Sequence, residues 1–191
     1  IDNISVKAIN DKNHATTVFY GDNTVVSGNN DRGMGGSNNW APYGTNAAET
    51  ITGGKIRVTT DTTNVTQGVQ LPVANAGTPV VGRSYRIRAK LKRVSGLDPY
   101  TIGVSYGDST LRLVTAVDGS PSNGEITDSE EEYYADVEAS DATGVLIIAN
   151  PANTTGGNFE IDDVVVEEIG TASGWTCLLY TSPSPRDITP S

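Results

Sequence analysis

A chain of 191 residues with one histidine and one cysteine has few routes to covalent chemistry. His14 lies in the polar segment Asn10–Ala15. A metal site built on histidine needs partners that the sequence does not supply. A Ser-His-Asp triad would have to use His14 as its base, with no nucleophile elbow to serve. His14 therefore reads as a solvated residue. The 23 acidic residues always offer some pair for glycoside hydrolysis, which needs two carboxyl groups held a fixed distance apart. Glu130-Glu131-Glu132 is the densest run, and adjacent like charges repel unless water surrounds them. No matched catalytic set emerges, and a non-enzyme is expected. Gly33-Met34-Gly35-Gly36 is glycine-rich but lacks the Lys-Ser/Thr of a phosphate loop, so it reads as a flexible turn.

Recognition of a sugar asks for different residues. An aromatic face lies flat on the apolar side of a pyranose, and polar side chains bond its hydroxyls; aromatic rings offer rigid contact area at low entropic cost. Trp40 and Tyr43 sit in a long segment rich in Gly, Asn and Ser, Asn23–Gly54, and are the first candidates. Tyr100 and Tyr106 flank another strand and join them. Tyr133 and Tyr134 must point to opposite faces of a strand, so one belongs in the core. Gln67 and Gln70 face either a concave sheet or solvent. The net charge of −10 argues against nucleic acid, which demands a basic face. No apolar run approaches the ~20 residues that span a bilayer.

These residues must be carried on strands. In Ser84–Lys92, Tyr85, Ile87, Ala89 and Leu91 alternate with Arg86, Arg88, Lys90 and Lys92, a period of two with one face buried. The basic row is expected to pair with acids on the neighbouring strand, or to meet an acidic partner. Further strands are expected at Thr16–Tyr20, Lys55–Thr60, Thr66–Leu71, Thr101–Tyr106, Thr110–Thr115, Glu132–Glu138, Val145–Ala149 and Asn158–Ile169. Turn signals such as Thr52-Gly53-Gly54 and Thr155-Gly156-Gly157 separate them. No segment holds a sustained helical period. Asp118–Glu132 reads as an exposed acidic connection. An all-β fold follows: a two-sheet antiparallel jelly-roll β-sandwich.

The closing segment Phe159–Glu168, reading FEIDDVVVEE, resembles the last strand of jelly-roll carbohydrate-binding modules. Thr50–Thr60, Gln67–Val73 and SYRIRAKLK are similar to their middle strands in the same order. The arrangement, with Gly170–Trp175 after it, also resembles structural proteins of phage tail fibres. The resemblance implies a glycan or cell-surface receptor as partner, neighbouring modules in the same chain, and a virion or extracellular location. It implies a structural calcium held through Asp162 or Asp163, of which strict alternation places only one on the solvent face. It also gives Trp40 a second reading, as the ring that plugs the base of the sandwich. The family's usual opening is reduced here to Ser27-Gly28-Asn29-Asn30, without the acidic residue that often serves the calcium. A purely structural spacer of a tail fibre, with no small ligand, is the alternative.

Two segments stand apart from the fold. Ile1–Ile9 (IDNISVKAI) matches Ile161–Ile169 (IDDVVVEEI) at four of nine positions, which suggests that residues 1–9 close a preceding repeat. Cys177–Asp187 (CLLYTSPSPRD) resembles, codon for codon, a translated transposase-derived sequencing adapter. The chain also begins without Met, so a fragment is expected. The organisation expected is a jelly-roll module over residues 10–170, a truncated linker over 171–176 and an adapter-derived tail over 177–191, which carries the single cysteine with it.

Overall fold

The computed structural model describes residues 18–25, 32–34, 39–62, 65–96, 99–108, 110–151 and 156–171. The expected repeat at residues 1–9 and the expected tail at 177–191 lie outside them. Tyr20–Ile169 forms one compact unit; the other unit, Ile1–Phe19 with Gly170–Ser191, contributes only residues 18–19 and 170–171 to the described set.

The strands in chain order are β1 (Val18–Tyr20), β2 (Ala41–Tyr43), β3 (Ala48–Thr52), β4 (Lys55–Thr60), β5 (Gln67–Leu71), β6 (Ser84–Ser95), β7 (Gly103–Tyr106), β8 (Arg112–Leu113), β9 (Thr115–Ala116), β10 (Glu131–Glu138), β11 (Leu146–Asn150) and β12 (Gly157–Thr171), with one short helix, α1 (Val73–Ala76), after β5. One sheet runs β3-β4-β12-β6-β10-β9 and the other β2-β5-β11-β7-β8. Number β4, β5, β6, β7, β8, β10, β11 and β12 from one to eight: the first sheet then carries 1-8-3-6 and the second 2-7-4-5. That is the winding of a jelly roll, in which successive strands cross between two antiparallel sheets except at the four–five pair, which shares one sheet. The expected all-β sandwich is the fold.

Alternation decides which side chains meet in the middle. Tyr85, Ile87, Ala89 and Leu91 of β6 are buried while Arg86, Arg88 and Lys90 keep a share of solvent. Val69 and Leu71 of β5, Val104 and Tyr106 of β7, and Leu146 and Ile148 of β11 come from the facing sheet to complete the core. Phe159 and Ile161 join from β12, and Tyr100 tilts against Phe159 with centroids 6.1 Å apart.

The structure departs from the sequence reading in four places. Strands β2 and β3 fall inside the segment read as a loop. Pro42 sits in β2, an edge strand, where the missing N–H is tolerated, and β3 is an edge strand with only Glu49 partly covered; neither shows a buried alternation. Val25, Met34 and Trp40, from the same segment, are buried in the core. Strand β12 has a bulge: Asp162 pairs with Lys90 and Val165 with Arg88, so β12 spends one extra residue. Asp163 takes that place with φ of 48°, and inward positions pass from Ile161 to Val164. Strict alternation therefore fails, and both Asp162 and Asp163 stay outside the core. Finally, the acidic connection is folded back: Ile126 is buried, its N–H bonds the Tyr100 carbonyl at 3.0 Å, and the Arg93 N–H bonds the Thr127 carbonyl at 2.7 Å.

Candidate functional site: the cleft on the outer face of the β2–β8 sheet

The two outer faces carry different chemistry. On the β6 face the basic row is matched by acids on both sides. Arg86 bonds Asp136 through two nitrogens, each at 2.7 Å. Arg88 reaches Glu132 at 3.4 Å and Glu167 at 2.9 Å, one on each neighbouring strand. Arg57 pairs with Glu160, and Lys90 with Asp163. The Arg86 guanidinium lies 4.4 Å from the ring centre of Tyr134 and 5.2 Å from that of Tyr20. A groove of about 370 Å³ opens there, but every arginine on its walls already holds a carboxylate.

The outer face of the other sheet is built from small and apolar residues. In register across it, Tyr43 of β2 stands beside Gly68 of β5, Gly68 beside Ala149 of β11, and Ala149 beside Gly103 of β7. The adjacent row is Ala41, Gln70, Ile147 and Ser105. Gly68 is required for space: an added Cβ would run into the Ile148 carbonyl and the body of Ala149. Tyr43 shares a cleft with Ile147 on the far side of β5. That cleft, of about 380 Å³, lies between Tyr43, Val145 and Ile147 on one hand and Asp108, Ser140 and Asp141 on the other.

Backbone geometry fixes the polar side. The chain leaves β7 through Gly107 at φ of 62°, a conformation that disfavours any side chain, and a Cβ there would press on the Asp141 carbonyl at 2.7 Å. The Gly107 carbonyl accepts the N–H groups of Ser140 at 2.6 Å and Asp141 at 2.7 Å. The loop after β10 is thereby tied to the end of β7. Asp141 Oδ1 accepts the Thr143 N–H at 2.7 Å and the Thr143 hydroxyl at 2.8 Å. Those bonds hold the Asp141 carboxyl below its usual range, so it remains an acceptor through mild acid. Asp108 accepts the Thr110 N–H at 3.1 Å and lies 3.4 Å from Arg112. Beside Ile147, the Ser105 hydroxyl is fully buried with no hydrogen-bond partner among the described residues.

Of the four aromatic residues singled out in the sequence, the structure brings only Tyr43 to this cleft. Trp40 is 4% exposed and belongs to the core, the second of its two readings. Tyr100 and Tyr106 have no exposed surface. Tyr100 bonds the Thr60 hydroxyl at 2.8 Å; Tyr106 packs edge-on against Tyr85 and bonds the Ala76 carbonyl at 3.2 Å. Burial pushes both phenols up. A ring with no accessible face cannot stack on a sugar, so Trp40, Tyr100 and Tyr106 are corrected to core residues. Tyr133 is also core, whereas its neighbour Tyr134 faces outward. Gln67 is buried and bonds Asp61 and the Thr45 carbonyl; Gln70 stays on the outer face beside Ile147. Asp162 Oδ1 accepts the Asp163 N–H at 2.8 Å, and the Asp163 carboxylate pairs with Lys90; the opening segment Ser27-Gly28-Asn29-Asn30, tied to the calcium expectation, lies outside the described residues. Among the described residues no group of three or more His, Cys, Asp or Glu converges for a metal. No helix among them is long and apolar enough to cross a membrane.

Sequence reasoning missed Asp108, Ser140 and Asp141. The signal available was Gly107-Asp108 at the end of a strand and Ser140-Asp141-Ala142-Thr143 at the start of a loop, both turn-formers with carboxylates.

No protein-family model matches the chain, and no curated protein matches it. Solved structures similar in fold include the CBM22-1 xylan-binding domain from Paenibacillus barcinonensis Xyn10C, with TM-score 0.48, 12% identity and coverage of 83% of this chain and 98% of that one. The N-terminal cellulose-binding domain of Cellulomonas fimi β-1,4-glucanase C has TM-score 0.44 and 17% identity, covering 71% of this chain and 91% of its own. A family 29 carbohydrate-binding module from Piromyces equi has TM-score 0.44 and 12% identity over 84% of this chain and 95% of its own.

Proposed function

We propose that this chain is a non-catalytic glycan-binding module whose contact surface is the cleft at Tyr43. The observation that carries the reading is one cleft lined by the half-buried Tyr43, by Asp108 and Asp141, and by Ser140, whose hydroxyl also reaches the Gly107 carbonyl at 3.4 Å. The Tyr43 ring would lie on the apolar face of a sugar, and Asp108, Asp141 and Ser140 would take its hydroxyls. Pockets of this size, part apolar with a few convergent polar groups, suit small polar ligands. A glycosidase needs one carboxyl raised so that it stays protonated as general acid, a role that the lowered Asp141 does not fit.

The test is a panel of soluble oligosaccharides titrated against the full chain. Binding that is lost in Tyr43→Ala, with the melting temperature nearly unchanged, supports the reading. Trp40→Ala should instead lower stability, by about 3–5 kcal/mol, because it removes a buried ring. If no glycan binds, or if Tyr43→Ala leaves binding intact, the cleft is not the contact surface. The first of those results favours the spacer role.

A further inference from the structure

We propose that this cleft prefers glycans that carry a free ammonium, that is amino sugars, over neutral and anionic glycans; the proposal rests on the glycan-binding reading above. The ionisable side chains on its walls, apart from the Tyr43 phenol, are two carboxylates, Asp108 and Asp141. Arg112 is the countercharge that meets Asp108, through a long contact of 3.4 Å between an exposed arginine and a largely covered carboxylate. Asp141 has no ion pair among the described residues; its Oδ1 is occupied by Thr143, and its Oδ2 makes no hydrogen bond among them. An aromatic face beside carboxylates is the arrangement that holds a substituted ammonium: the ring attracts the cation through its quadrupole and the carboxylates accept its N–H bonds. The same carboxylates repel the acid groups of uronate or sulfated sugars, and the chain's net charge of −10 adds to that repulsion. On the opposite face, every arginine lining the groove is already neutralised by an acid. An anionic glycan therefore finds no uncommitted cation in that groove.

The experiment is calorimetric titration of the full chain at about pH 5.5, where the amine is protonated and carboxylates are ionised. The probes are oligomers of glucosamine, the same oligomers N-acetylated, neutral xylo- and cello-oligosaccharides, and an oligouronate. The expected result is binding of the glucosamine oligomer at least about tenfold tighter than of its acetylated form, with the oligouronate weakest. Asp141→Asn and Asp108→Asn should each shrink that ratio, by weakening the glucosamine oligomer more than its acetylated form. Equal binding of free and acetylated oligomers overturns the preference and leaves the glycan reading standing. No binding of any probe overturns both. Glucosamine binding that survives unchanged in Tyr43→Ala and Asp141→Asn is general attraction of a polycation to an acidic chain, and it overturns the proposal. Thermal melts of each variant show whether a loss comes from unfolding; if one aspartate variant does not fold, the other decides.

Discussion

The two outer faces of the sandwich are built in opposite ways, and on the β5–β11 face the central residues Gly68, Gly103, Ser105 and Ala149 are themselves buried. The β6 face lays arginine and lysine along a central strand and flanks it with acids from β10 and β12, so that charge is satisfied within the sheet. The β5–β11 face removes side-chain bulk at Gly68, Ala149 and Gly103 and gathers its few polar groups at one end, where two loops are tied by the Gly107 carbonyl. A face whose groups are already partnered has little left to offer a ligand. A face that keeps a ring and carboxylates with acceptor positions to spare can offer both.

The sharpest way to break this contrast is to put bulk into the small-residue face. Gly68→Ala should destabilise by about 3 kcal/mol or more in chemical denaturation, because the new methyl collides with β11 backbone rather than with a movable side chain. A change under about 0.5 kcal/mol would show that β5 and β11 are not packed as described. Removing charge from the opposite face should matter far less. Arg88→Met leaves Glu167, which retains 17% of its side-chain exposure, with a lost partner, and a loss of at most about 1 kcal/mol is expected. The Arg86–Asp136 pair should show a smaller coupling still, about 0.5 kcal/mol in a double-mutant cycle and falling with added salt. Coupling that survives 1 M salt would mean the pair is shielded from water.

The smallest expected effect is an acid limb of stability. Asp128 is held below its usual range mainly by its hydrogen bond from Arg93, and Asp141 by its bonds from Thr143. The unfolded chain then binds protons at a higher pH than the folded one, near an unperturbed Asp value of about 3.9. Both groups stabilise the fold fully above that value and lose the contribution as pH falls through their lowered values. Asp141→Asn should flatten the pH dependence of the melting temperature below about pH 4. An unchanged slope there would remove Asp141 from the account.

Much of the fold was legible because alternation is a strong signal wherever one face is buried. β4 falls on the expected residues, and β6, β10, β11 and β12 fall within a few residues at either end. Edge strands β2 and β3 were not legible, since a strand with little buried surface shows no pattern to read. The site was only partly legible. Aromatic type pointed to four residues, but composition cannot tell a ring that lies on a surface from one that fills a core. Tyr100 and Tyr106 needed the positions of Phe159 and Tyr85 to be placed. Asp108 and Asp141 come together only because Gly107 joins two loops far apart in sequence, a contact with no local signature. The bulge at Asp163 was hidden for a related reason: one inserted residue leaves the apolar content unchanged while reversing which positions face in.

Central to the account is where a bound sugar would sit, and residue-resolved chemical-shift mapping of the full chain with the tightest oligosaccharide of the panel measures that directly. Amide shifts concentrated at Tyr43, Asp108, Ser140–Gly144 and Ile147 are the predicted result. Shifts concentrated instead at Tyr20, Arg86 and Tyr134 would place recognition on the charged face and contradict it.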